Sequence, residues 1–121
     1  MGNVIYMIDP TPTERTQIVD ALASEPMTVV TYDSAELFLN QVEIPSGCVL
    51  VPCNLPGMGV RGLISEILRR NLPLEIVVIG RKPDLAIAVE LVRAGATDFL
   101  EQPFSDRQLR LIVRRVIASA E

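Results

Sequence analysis

With 121 residues, 49% of them apolar, the chain is long enough for one domain with its own core and too short for two. A net charge of −4, the absence of histidine and a scatter of basic residues outside the last helical stretch argue against a nucleic-acid surface. No apolar run nears the roughly 18 residues of a membrane span, and no signal-peptide pattern opens the chain. Cys48 and Cys53 lack the histidines or second pair of a zinc site, so a cytoplasmic chain with two reduced thiols is expected.

Met1-Gly2 is read as a start, because Tyr6 stands where a myristoylation signal wants Ser or Thr. Asn3–Ile8 follows as the first strand. Thr11 with Glu14 reads as a capping box for the first helix, with Pro12 at its first position. Met27–Tyr32 is the second strand, and Asp33 with Glu36 a second capping box.

Cys48–Val51 forms the third strand. After it, Gly57-Met58-Gly59-Val60-Arg61-Gly62 has the spacing of a dinucleotide-binding loop. Five residues, Pro52 to Pro56, separate that first glycine from the strand, and the unit is the third rather than the first, so an ordinary loop is predicted.

Leu74–Ile79 is the fourth strand, and Pro83 belongs to the first turn of a fourth helix that Gly95 ends. Leu85, Ala86, Ile87, Ala88, Val89, Leu91 and Val92 are too many apolar positions for one buried stripe. Part of that helix is expected at the surface, as a contact face for a partner. Thr97–Glu101 is the fifth strand, and Ser105 with Gln108 caps a helix over Asp106–Ser119. Its Leu109, Ile112, Val113, Val116 and Ile117 should face the sheet, with Arg107, Arg110, Arg114 and Arg115 largely solvated.

Five strands of near-continuous Val, Ile and Leu, alternating with helices, fit a parallel sheet covered on both faces, a three-layer α/β fold. Ligands of such sheets bind at the carboxyl ends of the strands. Those ends are Asp9-Pro10, Pro52-Cys53, Gly80-Arg81 and Glu101-Gln102-Pro103. Cys53 beside Arg81 and Lys82 has a redox reading as a low-pKa thiolate, against a plain structural thiol.

Val49-Leu50-Val51 followed by Leu55-Pro56-Gly57-Met58, then Arg93-Ala94-Gly95-Ala96-Thr97-Asp98-Phe99-Leu100 and Glu101-Gln102-Pro103-Phe104, resemble the receiver domain of bacterial response regulators over essentially residues 1–121. The likeness is to the CheY-like superfamily and, within it, the FixJ-like subgroup. It implies a flavodoxin-like (βα)5 fold with strand order 2-1-3-4-5. It also implies a site of two acids after the first strand for magnesium, an aspartate phosphoacceptor ending the third, a hydroxyl ending the fourth and a lysine after the fifth.

On this pattern Asp9 is the first acid, Pro10 stands at the second, Pro52 at the phosphoacceptor, Gly80 at the hydroxyl and Gln102 at the lysine. A proline has no nucleophilic oxygen and one carboxylate is a poor magnesium cage. The expectation is therefore a degenerate pseudo-receiver: not an enzyme, without cofactor or metal, acting by dimerisation or partner binding. A small-molecule or redox sensor using the vacated pocket or Cys53 is the alternative.

The resemblance places the switch aromatic at Phe99, a cis bond at Gln102-Pro103 and a homodimer face on the fourth helix, fifth strand and fifth helix. Candidate contacts there are Leu85, Ile87, Leu91, Asp98, Arg107, Arg110 and Arg114, with Asp98 and Arg110 as cross-dimer partners. Family analogy also suggests a C-terminal DNA-binding output domain in a longer parent, with no direct nucleic-acid or membrane contact by this domain.

Overall fold

Five parallel strands and five helices alternate along the chain in the computed structural model, which describes residues 4–9, 11–41, 46–81 and 85–120. The strands are β1 (Val4–Ile8), β2 (Thr28–Tyr32), β3 (Gly47–Pro52), β4 (Leu74–Gly80) and β5 (Asp98–Glu101). The helices are α1 (Pro12–Leu22), α2 (Ala35–Gln41), α3 (Gly59–Arg69), α4 (Leu85–Ala94) and α5 (Asp106–Ala120). Pro10, Lys82, Pro83 and the side chain of Leu85 lie outside the described residues.

The strand order is β2-β1-β3-β4-β5, the flavodoxin-like arrangement that the resemblance implies. Register runs Tyr6 beside Val30 and Val49, Val51 beside Val78, and Gly80 beside Glu101. It brings the carboxyl ends of the three central strands and β5 to one rim of the sheet.

Side chains alternate across a strand, so a run that is apolar at every position has to be covered twice. Tyr6, Ile8, Val49, Val51, Ile76 and Val78 point to one face, where Phe38 and Leu39 of α2, Leu63, Ile64 and Ile67 of α3 and Leu91 of α4 cover them. Ile5, Met7, Cys48, Leu50, Val77 and Ile79 point to the other, against Ile18 and Leu22 of α1 and Leu109, Val113 and Val116 of α5. Burying each such side chain contributes about 1.5–3 kcal/mol, which makes the two layers the main source of stability.

Of the three capping boxes predicted, only the last forms. Gln108 N–H donates to Ser105 Oγ at 3.0 Å and Ser105 N–H donates to Gln108 Oε1 at 2.8 Å. Helix α2 starts one residue later than predicted: Ser34 is its cap, with Oγ accepting from Leu37 N–H at 3.1 Å. Asp33 is thereby free to pair with Arg15 at 2.5 Å, and the Glu36 carboxylate to accept the Met58 N–H at 3.0 Å. Thr11 makes no side-chain cap bond at α1, and its N–H, which a capping box would give to Glu14, donates to Asp9 Oδ1 at 2.8 Å.

The Glu36 bond also settles the glycine-rich loop. Gly57 and Gly59 have φ near +75° and +73°, as a tight turn demands, but the amide between them already holds a carboxylate of the chain itself.

Gly95 closes α4 as expected. Its φ is +134°, and the amides of Gly95 and Ala96 return to the Leu91 carbonyl at 3.1 and 2.9 Å. A Cβ there would sit 3.1 Å from Ile64 Cγ2 and 3.2 Å from Leu68 Cδ1. Gly95→Ala should therefore destabilise the fold by about 1–3 kcal/mol, read as a lower urea midpoint at unchanged m-value.

Candidate functional site

At the rim, Asp9 follows β1, Pro52 and Gly80 end β3 and β4, and Gln102 follows β5. Backbone bonds hold these ends together. Asp9 N–H donates to the Tyr32 carbonyl at 3.1 Å, Cys53 N–H to Ile79 at 2.7 Å and Gln102 N–H to Gly80 at 2.6 Å. Asp9 is 2% exposed, and Pro52 and Gly80 are buried as well. The structure thus gathers four of the five predicted positions, with Pro10 outside the described residues.

The sequence reading missed Glu14. In place of closing a capping box, its carboxyl turns from the first turn of α1 into the rim and hydrogen-bonds Asp9. That bond, burial and the Asp9 charge raise the Glu14 pKa from an ordinary 4.5 to about 7, with Arg81 and a hydrogen bond from Gln102 pulling the other way. A general rule pointed to it, since the first turn after a strand in a βα unit faces the carboxyl ends of the strands.

Beside this carboxyl pair lies a cleft of about 310 Å3, lined among the described residues by Gln17, Arg81, Gln102, Pro103 and Phe104. The Gln102–Pro103 bond is cis, as the resemblance implies. The cleft is walled by α1, the residue after β4 and the loop leading to α5.

The two cysteines differ. Cys48 is buried, and burial, with the Glu75 charge, pushes its thiol up to about 12, so it is inert as a nucleophile. Cys53 is half-buried at the edge of the rim.

Away from the rim, α4 carries the predicted apolar excess: Ile87, Val89 and Val92 are 46%, 54% and 44% exposed. Val89 and Val92 line a groove of about 560 Å3 with Ala88, Arg93, Asp98 and Phe99. Phe99 is half-buried there, packed against the core.

One candidate contact needs correction, and two already have partners within the chain. Leu91 is 2% exposed and belongs to the core. Arg110 donates to the Ala21 carbonyl at 3.1 Å, and Arg114 makes a two-bond pair with Glu25, so both bind the α1 end of the chain, away from the groove. Within the chain Asp98 pairs with Arg115. Arg107 and Leu111 precede Arg115 at four-residue spacing, hence on its face of the helix. Leu111, 49% exposed, was missed because the core stripe already accounted for α5.

The chain matches the family model described as the response regulator receiver domain over residues 5–114. It is 31% identical to the transcriptional regulatory protein FixJ of Bradyrhizobium diazoefficiens, over 97% of this chain and 58% of that protein. It is 30% identical to the C4-dicarboxylate transport transcriptional regulatory protein DctD of Pseudomonas aeruginosa, over 93% of this chain and 25% of that one. Full-length FixJ from B. japonicum has a similar structure, with a TM-score of 0.90 at 30% identity over 98% of this chain and 59% of that chain. NtrX from Brucella abortus gives 0.87 at 25% identity, over 99% of this chain and 28% of that chain. The chain therefore spans a little over half the length of the FixJ relatives that it matches.

The Glu14–Asp9 pair has a thermodynamic consequence. A carboxyl whose pKa is higher folded than unfolded binds more protons in the native state, so its contribution to stability falls as pH rises through the window between the two values. For Glu14 that window runs from 4.5 to about 7. Glu14→Gln should gain on the wild type across this window and stay ahead above it, measured as urea midpoints at pH 4.5, 6 and 8. An equal difference at all three values would contradict the pairing.

Proposed function

We propose that this chain, which belongs to the response regulator receiver domain family, is a receiver that works without phosphorylation and acts through protein contacts, as a regulator and not as an enzyme. The observation that carries this reading is the end of β3, where the buried Pro52 stands at the position that the family's pattern gives to the phosphoacceptor. An acyl phosphate needs a carboxylate oxygen, and proline has none.

The neighbours support the same reading. Gly80 brings no hydroxyl to the rim, and Gln102 brings an amide in place of an ammonium charge that would stabilise a phosphoryl group. Magnesium, which the family implies, fits the donor set poorly: a hard cation needs several oxygens, Pro52 supplies no side-chain oxygen, and Asp9 is committed to the Thr11 amide and to Glu14. Among the described residues no group of three or more acids, cysteines or histidines is clustered for a metal.

The contact surface is the α4–β5–α5 face, with a second copy of the chain as its partner. Its support is the exposed apolar run Ile87, Val89 and Val92 around the groove that Phe99 lines. FixJ and DctD are transcriptional regulators by name, and the chain covers 58% and 25% of them. By extension the domain serves a cytoplasmic transcription regulator whose output domain binds DNA, while this domain makes no nucleic-acid contact itself.

Incubation with acetyl phosphate and magnesium should leave the intact mass unchanged; a phosphoryl adduct overturns the reading. Sedimentation should show a concentration-dependent dimer that Val92→Glu weakens at least tenfold, as burying an unpaired charge at an interface centre requires. A single monomeric species at every concentration would remove the dimer.

A further inference from the structure

The cleft beside the carboxyl pair has a composition that the phosphate reading does not use. At about 310 Å3 it lies at the lower end of the roughly 300–1,000 Å3 of small-molecule pockets. Its described walls are one guanidinium (Arg81), two carboxamides (Gln17 and Gln102), a proline ring and a phenyl ring (Pro103 and Phe104). Three elements supply them: α1, the residue after β4 and the loop after β5.

Gln102 already hydrogen-bonds a carboxyl, that of Glu14 at the inner edge of the rim, and the Arg81 charge acts on the same group. Glu14 has a second partner in Asp9, so it keeps a hydrogen bond when the Gln102 amide turns to another acid. Guanidinium against carboxylate is a planar, two-bond match that a point cation does not offer. The rings of Pro103 and Phe104 demand something besides charge: an anion with an apolar body. Inorganic phosphate meets only the first requirement.

We propose that this cleft is a binding site for a small organic acid, with its carboxylate on Arg81 and the Gln17 and Gln102 amides and its apolar body against Pro103 and Phe104. The site stands independently of the phosphorylation reading, and a failed ligand titration leaves the acetyl phosphate result untouched. The carboxylate places the ligand, and the apolar contact with Pro103 and Phe104 sets how tightly it is held. An aromatic acid therefore binds more tightly than acetate.

The test is an amide chemical-shift titration of the chain with benzoate, acetate and inorganic phosphate. Saturable shifts at Gln17, Gln102 and Phe104 are expected with benzoate, weaker ones with acetate and none at these residues with phosphate. Arg81→Ala, in an exposed position, should weaken benzoate at least about tenfold, as loss of a charge-assisted pair does. Phe104→Leu preserves the core packing and should weaken benzoate while leaving acetate unchanged. Phosphate binding as well as benzoate, benzoate binding that survives Arg81→Ala, or no saturable shift with any acid would each overturn the proposal.

Discussion

The constraint on which the rest of the molecule depends is that every central strand is apolar on both faces. Cys48, Val49, Leu50 and Val51 in β3 and Ile76, Val77, Val78 and Ile79 in β4 are all buried. Such a sheet has no solvated face, so helices cover both sides and the connections become right-handed crossovers. Polar chemistry is then confined to two places: the rim at the carboxyl ends of the strands and the outer surfaces of the helices. The rim is where Asp9, Glu14, Arg81 and Gln102 meet, and the outer surface of α4 is where Ile87, Val89 and Val92 remain uncovered.

At the rim, one buried carboxylate organises its surroundings. A carboxylate at 2% exposure without partners would cost several kcal/mol. Asp9 meets that cost by taking the Thr11 amide at 2.8 Å and by pairing with Glu14. The local consequence is the loss of a capping box at α1, since the two groups that would have made it are both committed to Asp9. The same logic operates at α2 and α3, where Glu36 leaves its own helix to bind the Met58 amide and so fixes the loop after β3. In both cases a carboxylate contact outside the helix prevails over the local capping pattern.

Legibility followed the same divide. Strands, strand faces and the α5 stripe could be read because their signal is burial, which repeats along the chain with a period of 2 or 3.6. The Ser105–Gln108 cap could be read because, among the described residues, the side-chain bonds of both go to each other. Asp33 and Glu14 could not, because their partners, Arg15 at 2.5 Å and Asp9, come from other elements. The positions Asp9, Pro52, Gly80 and Gln102 were legible through the family resemblance, and register brings them to one rim. Leu91 was misplaced for a different reason: an apolar helix reads as excess surface or as core with equal ease, and only the direction of α4 relative to α3 decides.

Helix α5 shows why charge on a helix cannot be assigned to an interface by count alone. Its arginines divide by helical phase. Arg110 and Arg114 hold the Ala21 carbonyl and the Glu25 carboxylate, which also lies below its ordinary pKa because of Arg114. Arg115, one position on, reaches β5 instead and pairs with Asp98. The first pair ties α5 to α1, whereas the second borders the α4–β5 groove. Exposed ion pairs contribute little to stability, but their placement decides what approaches. A partner seated over Val89, Val92 and Phe99 would meet an apolar centre rimmed by Arg93, Asp98 and Arg115, the apolar core and polar rim of protein interfaces. Since Asp98 is already matched within the chain, specificity at such a contact would come from shape at the groove more than from a new salt bridge.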